Sequence, residues 1–259
     1  MNMKKMTLLL LAVLVLLSAS CSATHRNTVA QTSTIDALLA GVYDGNMTCR
    51  ELLEYGDFGL GTFDHLDGEM AVLDGEVYQV KADGKVYTPS ETITTPFATV
   101  CDFNPDYTLP LAKGTDYEAL KKCVNTAVPN RNIFCAIKVT GVFRKMKTRS
   151  VPRQQKPYPP LVEVTKNQPV FNMENISGTI IGFRSPPFVT GINVPGYHLH
   201  FISDDHGTGG HILSFELVSG VSELDICNRF LLILPEKGEG LENLDLSKNR
   251  SDELQNVEQ

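Results

Sequence analysis

Gly196-Tyr197-His198-Leu199-His200-Phe201-Ile202-Ser203-Asp204-Asp205-His206-Gly207-Thr208-Gly209-Gly210-His211 holds four of the six histidines of a 259-residue chain. Residues 197–202 have strand character, and in a strand residues i and i+2 share a face. His198 and His200 therefore project together, while Tyr197, Leu199 and Phe201 cover the opposite face. The polar, glycine-rich segment 203–210 reads as the turn of a hairpin. His211 opens a second strand-like run, and pairing of the two runs returns it to the face of the first two histidines. Three imidazoles converging with coordination positions left open is the layout of a catalytic zinc or a related divalent site. One strand histidine would ordinarily be structural or solvated; the clustering carries the reading. His206 lies mid-turn and competes as the third ligand, but a strand position aims a ligand better, which favours His211.

Outward from the hairpin, short apolar runs alternate with turn residues. Towards the N-terminus, residues 34–40 form a short helical pattern ended by Gly41, and Thr48-Cys49-Arg50-Glu51 is a capping box. Asp67-Gly68, Asp74-Gly75 and Asp83-Gly84 punctuate short apolar runs, a strong hairpin signal that predicts a β-meander entered by residues 59–63. Residues 97–103 predict a strand, and 116–127 a helix capped by Thr115 or Asp116 with Pro129 beyond its end. Residues 133–147 predict a long strand with Gly141 as a bulge or bend. It leads into the proline-rich crossing 151–160, read as the boundary between two halves. A helix at 161–166 and strands at 170–173 and 177–183 lead back to the hairpin. Beyond the hairpin, residues 222–234 are strand-like, and 251–257 fit a helix with Ser251 as its N-cap. The fold class is α+β: two strand-rich halves, 34–150 and 151–259, with mixed and antiparallel sheets, a few helices and the metal site on a β-hairpin.

The chain is long enough for a sizeable core, and 42% hydrophobic with 20% charged residues is an ordinary globular composition. A net charge of −7 indicates no basic surface for nucleic acid. Lys4 and Lys5 precede an apolar run over 6–17, followed by Ser18-Ala19-Ser20-Cys21. The run is too short for an ordinary membrane span and has the layout of a signal peptide, residues 1–20. Cleavage before Cys21 would resemble a bacterial lipoprotein signal, with Cys21 lipid-modified as the one membrane contact. Ser18 stands where such signals usually carry leucine, so ordinary signal cleavage stays open. Either route makes the protein exported, periplasmic or membrane-anchored, with the small polar residues 21–33 as a tether. Cys49, Cys101, Cys123, Cys135 and Cys227 show no C-x-x-C pair, which argues against a zinc ribbon or a dense disulfide framework.

Four segments in order are specific enough to carry a family resemblance. They are 58–63 with Leu66-Asp67-Gly68-Glu69; Asp74-Gly75-Glu76; Thr148-Arg149-Ser150-Val151-Pro152 with Pro157-Tyr158; and 196–204 with Gly209-Gly210-His211. The chain resembles bacterial alpha-acetolactate decarboxylase from about residue 30 onward. The resemblance implies a metal-dependent conversion of 2-acetolactate to acetoin, usually with zinc, and His198, His200 and His211 as ligands. It also implies active-site carboxylates and an arginine, carried onto Glu69, Arg149 and a glutamate near the C-terminus. That glutamate maps onto Glu258, with Glu253 as the other candidate. Thr62 would line the pocket and contact substrate. Asp64-His65 departs from the expected pattern and leaves open a separate role for His65.

Loss of CO₂ from a β-keto acid leaves an enediolate, and the barrier is the charge that builds on the ketone oxygen. A cation held by neutral imidazoles is suited to drain that charge, an arginine fork to hold the carboxylate or oxyanion, and a carboxylic acid to return a proton. Two other readings compete. Cupin-like enzymes also use His-x-His on a strand, but with a glutamate four or five residues later, where this chain has Asp204 and Asp205. A non-enzymatic metal-binding lipoprotein would need the histidines but not Glu69, Arg149 or Glu258. Nothing in the sequence fixes the oligomeric state, and a homodimer is kept open.

Overall fold

A computed structural model describes residues 25–236 and 241–258; the expected signal peptide and Cys21 lie outside the described residues. In chain order the elements are β1 (Thr28–Thr32), α1 (Ile35–Leu39), β2 (Met47–Thr48), α2 (Cys49–Leu53), β3 (Phe58–Thr62), β4 (Glu69–Leu73), β5 (Glu76–Val80), β6 (Val86–Tyr87), β7 (Thr94–Thr95), β8 (Ala98–Cys101) and β9 (Tyr107–Leu111). There follow α3 (Tyr117–Ala127), β10 (Phe134–Arg149), α4 (Leu161–Thr165), β11 (Val170–Ser185), β12 (Gly196–Ser203), β13 (Gly209–Cys227), β14 (Arg229–Ile233) and α5 (Ser251–Glu258). The class is α+β, as the alternation of turn signals and apolar runs implied.

Two large sheets pack on one another. The first runs β14-β1-β8-β3-β4-β5-β6, antiparallel except for the parallel pair β1–β14. The second runs β10-β11-β12-β13-β9, antiparallel throughout, and β10 also bonds β13 along its length. Phe58, Leu60, Phe134, Phe183, Ile202 and Cys227 fill the space between the sheets. A separate cluster joins α1, α4 and α5 through Ile35, Leu39, Leu161, Val164, Leu254 and Val257. Burying one such side chain is worth roughly 1.5–3 kcal/mol. The inter-sheet core therefore fixes the sheets, and the smaller cluster fixes where the helices lie against them.

The local signals explain the elements. The Thr48 capping box is formed, with Thr48 and Glu51 each bonding the other's backbone N–H. Asp74 and Gly75 both adopt positive φ in the tight turn between β4 and β5, the backbone that such a hairpin requires. Asp116 caps α3, accepting from Ala119 N.

Four expectations are corrected. The tether at 21–33 is too long: residues 28–32 are strand β1, fully buried between β14 and β8. Their Thr and Gln side chains read as solvated, but Gln31 satisfies its amide inside, donating to Ser33 O and Ile192 O and accepting from Asn193. The boundary at 150/151 does not divide the fold. β9, α3 and β10 belong with the second sheet, and β14 from the far end of the chain completes the first. Long-range pairing, invisible to local patterning, decides both. Finally, the strands expected at 170–173 and 177–183 are one strand, β11, passing through Asn175 at φ 51°. The irregularities of β10 fall at 142–148 rather than at Gly141, which pairs normally on both sides.

Candidate metal centre

The hairpin forms as its sequence implied. β12 and β13 pair with His200 opposite His211, and His198 lies two residues back on the same face. On its other side β13 pairs with β10, and there His211 stands opposite Arg149. Arg149, His211 and His200 thus form one row across three adjacent strands. Gly210, at φ 121°, allows that row to close: a Cβ there would lie 2.4 Å from Arg149 O.

The three rings face one another with centroids 5.0 to 5.4 Å apart, and one ring nitrogen from each lies within 4.8 Å of the others. All three side chains are buried. His200 Nδ1 lies 2.7 Å from Met70 O and must donate to it, so Nε2 is the unprotonated nitrogen and turns inward. That inward Nε2 has no hydrogen-bond partner among the described residues. Burial drives the His198 pKa down to about 3, with the Arg149 charge adding to the effect. Burial likewise holds His200 and His211 well below the usual imidazole range. Three neutral imidazoles, one with an orphaned nitrogen aimed at the common centre, are the donor set a borderline divalent cation requires. His206 is not part of it; it sits exposed in the turn against the Tyr78 ring.

Three further expected residues converge on the same point from other elements. Glu69, the first residue of β4, places Oε2 3.5 Å from His200 Nε2. Glu258, at the end of α5, places Oε2 3.9 Å from His198 Nε2 and 3.8 Å from His211 Nε2. Burial pushes both carboxyls up to about 7, against the pull of Arg149. For Glu69 the neighbouring Glu258 charge adds to the rise, while a hydrogen bond from the Val151 backbone opposes it. Arg149 is 3% exposed, and its Nη1 donates to Gln168 Oε1 at 3.0 Å. Thr62 pairs with Glu69 across β3 and β4, and its hydroxyl donates to Gly68 O at 2.7 Å. Its proton therefore holds the turn, and only its oxygen remains as an acceptor. A cavity of about 50 Å³ is lined by Thr62, Glu69, Arg149, His198, His211 and Glu258, with apolar walls from Leu66, Phe97, Val151 and Val257.

A family model described as alpha-acetolactate decarboxylase matches residues 29–248. The chain belongs to the alpha-acetolactate decarboxylase family. A relative of that name from Methanosarcina mazei is 50% identical over 228 residues, covering 88% of this chain and 79% of the relative. One from Methylococcus capsulatus is 44% identical over 230 residues, covering 89% of this chain and 88% of its own. The crystal structure of alpha-acetolactate decarboxylase from Bacillus subtilis strain 168 superposes with a TM-score of 0.86 at 38% identity, covering 89% of this chain and 99% of that one. The chain is thus an enzyme of the carboxy-lyase class.

Sequence reasoning missed three contributors to the site. Two are backbone groups, Met70 O and the Val151 N–H, which no residue type announces. The third, Gln168, is a glutamine between α4 and β11 whose neighbours give no periodic or motif signal.

Proposed function

We propose that the protein decarboxylates 2-acetolactate to acetoin at this centre, with a divalent cation, zinc by donor type, held by His198, His200 and His211. The observation that carries this reading is the orphaned, inward-facing Nε2 of His200 within a neutral three-histidine set. When bound, such an ion supplies Lewis-acid stabilisation of the oxyanion that develops as CO₂ leaves.

The chain's own residues supply the rest. Arg149, buried and positioned by Gln168, presents a guanidinium whose Nε has no partner among the described residues; it holds the substrate carboxylate and then the developing negative charge. Thr62 Oγ1 offers an acceptor for the tertiary hydroxyl. The enediolate left by CO₂ loss needs one proton on carbon, and a carboxyl whose pKa burial raises keeps its proton to higher pH than an exposed one. Glu258 fits the donor role better than Glu69. The Val151 backbone favours the ionised form of Glu69, and among the described residues no backbone donor does the same for Glu258. Glu69 then orients the substrate from the opposite wall. Leu66, Phe97, Val151 and Val257 keep water from competing as proton donor.

The test is acetoin formation from 2-acetolactate by the purified full chain, before and after chelation and after zinc is restored. Activity that vanishes with chelator and returns with the ion is expected. No acetoin from folded, zinc-loaded protein would overturn the reading. Export rests on the charge and apolar pattern of residues 4–21, and cell fractionation with mass spectrometry of the mature N-terminus tests it.

A further inference from the structure

Two thiols remote from the histidine centre meet where the two sheets exchange strands. Among the described residues five cysteines are free thiols, and all but Cys123 are buried. Cys135 faces away from the inter-sheet space, in the core on the far side of β10. Cys49 packs on the far side of the first sheet, and Cys123 is exposed on α3. Of these five, only Cys101 and Cys227 belong to the core between the sheets, each 0% exposed. Their sulfurs lie within 4.8 Å of one another, and a carboxylate oxygen of Asp225 lies within the same distance of both.

Topology, not local sequence, brings the pair together. Cys101 is the last residue of β8 in the first sheet, and residues 102–106 then cross to the second, where β9 begins at Tyr107. Cys227 is the last residue of β13 in the second sheet, and Asn228 crosses back to the first, where β14 begins at Arg229. The first crossing is bonded to the end of β13. Asn104 N donates to Asp225 Oδ2 at 3.0 Å, Ile226 N to Asp106 Oδ2 at 2.8 Å, and Asp106 N to Leu224 O at 2.8 Å. Asn27, just before β1, joins the second: its Nδ2 donates to Ile226 O at 3.0 Å, and its carbonyl accepts from Arg229 N at 3.1 Å. The corner is thus held by individual hydrogen bonds, each modest in net strength. Beyond it β14 is an edge strand whose strand partner is β1.

We propose that Cys101 and Cys227 form a disulfide that staples the two sheets at this corner when the chain folds in an oxidising compartment. Sulfurs bond at about 2 Å. Because each cysteine ends its strand, the final approach falls on the crossings rather than on the ladders. The chemistry is two successive exchanges with a disulfide oxidant, either a small molecule such as oxidised glutathione or a protein disulfide. One cysteine thiolate attacks the oxidant and expels a thiol; the other attacks the mixed disulfide and expels the second. The two cysteines give up two protons and two electrons in all, and the oxidant takes them up as two thiols. The neighbouring Cys227 thiol, burial and the Asp225 charge hold the Cys101 thiol well above its usual range. Since the thiolate is the attacking species, the folded corner is inert, and the bond closes while the corner is still assembling. The staple goes beyond the decarboxylase reading and does not rest on it.

The test compares the full chain produced in an oxidising compartment with the same chain produced in a reducing cytosol. Free thiols are alkylated, and the protein is digested without reductant and mapped by mass spectrometry. The peptide carrying Cys101 should be joined to the peptide carrying Cys227 in the oxidised material, and both cysteines should be alkylated in the reduced. The oxidised form should melt roughly 5–15 °C above the reduced one, the shift that a cross-link closing a loop on the order of a hundred residues gives a chain of this size. Cys101→Ala and Cys227→Ala should each abolish that gap, and Cys123→Ala should leave it intact. The peptide map is read on the wild-type chain, so it stands whether or not the alanine variants fold. Alkylation of both cysteines in folded protein from the oxidising compartment overturns the staple. So does a link from either one to another cysteine, or an equal melting temperature of the two forms. A second zinc per chain that is lost in Cys101→Ala would make the pair and Asp225 a metal site, and would overturn it as well.

Discussion

The two ends of the candidate site are built in opposite ways. The histidines stand on β12 and β13, where cross-strand register sets His200 opposite His211 and β10 sets Arg149 beside them. Glu258 arrives on α5, an eight-residue helix near the chain end, docked through Leu254 and Val257. Moving a histidine requires breaking a sheet. Moving Glu258 requires undocking a helix that buries two apolar side chains, about 3–6 kcal/mol before the entropy of ordering the segment is set against it. The rigid part thus suits holding an ion in fixed geometry. The lightly held part suits a proton donor that must admit a substrate and release a product.

The contrast breaks most sharply at a ligand. His200→Ala removes the imidazole whose tautomer Met70 O fixes, and acetoin formation should fall by about 10³-fold or more. Bound zinc, read by elemental analysis, should fall well below one per chain. Removal of residues 251–259 should cost roughly 10²–10³-fold in kcat, the range of a lost general acid, with zinc retained and the β-sheet circular dichroism unchanged. Loss of zinc in that truncation would erase the contrast and place Glu258 among the ligands.

Single carboxamides sharpen the contrast further. Glu258→Gln should lower kcat by about 10²-fold and Glu69→Gln by less, both with stoichiometric zinc. The sign of the pH effect follows from the raised pKa values. Both carboxyls stand at about 7 in the ion-free fold, so the acid form is present below that value and lost as pH rises through it. A bound cation lowers both. Activity should therefore fall along an alkaline limb at or below pH 7, and that limb should vanish in Glu258→Gln. A limb that persists there but vanishes in Glu69→Gln would reverse the two roles.

What could be read in the sequence follows the same division. The histidine pair was legible because strand periodicity is a local, exact code, and His211 followed from hairpin closure. The Asp-Gly turns and the Thr48 box were legible because each is fixed by a few adjacent residues. Glu69, Arg149 and Glu258 have no such code. A glutamate after Asp-Gly, an arginine before prolines and a glutamate in a charged tail are all ordinary, and only resemblance singled them out. Burial of β1 and the exchange of strands between the halves were not legible, since both depend on partners distant along the chain. A second edge strand, β9, was masked by Pro110, which edge positions tolerate.

The smallest effect tests the seam between the two constructions. Arg149 ends a strand, yet its Nη1 is held by Gln168 from the loop after α4. If strand register alone aims the guanidinium, Gln168→Ala should be silent. If the loop contact also matters, a neutral acceptor bond worth about 1 kcal/mol is lost and the fork gains freedom. The expected result is a rise in KM of roughly fivefold with kcat nearly unchanged, because the interaction with the substrate carboxylate is present before and during reaction alike. Gln168→Glu should not weaken substrate binding in the same way, since a carboxylate keeps the acceptor while adding repulsion to an anionic substrate. Its KM should rise more than that of the alanine variant, and the excess should shrink as salt is added. Equal KM values for the two variants would mean that Gln168 acts by packing and that the strand aims Arg149 unaided.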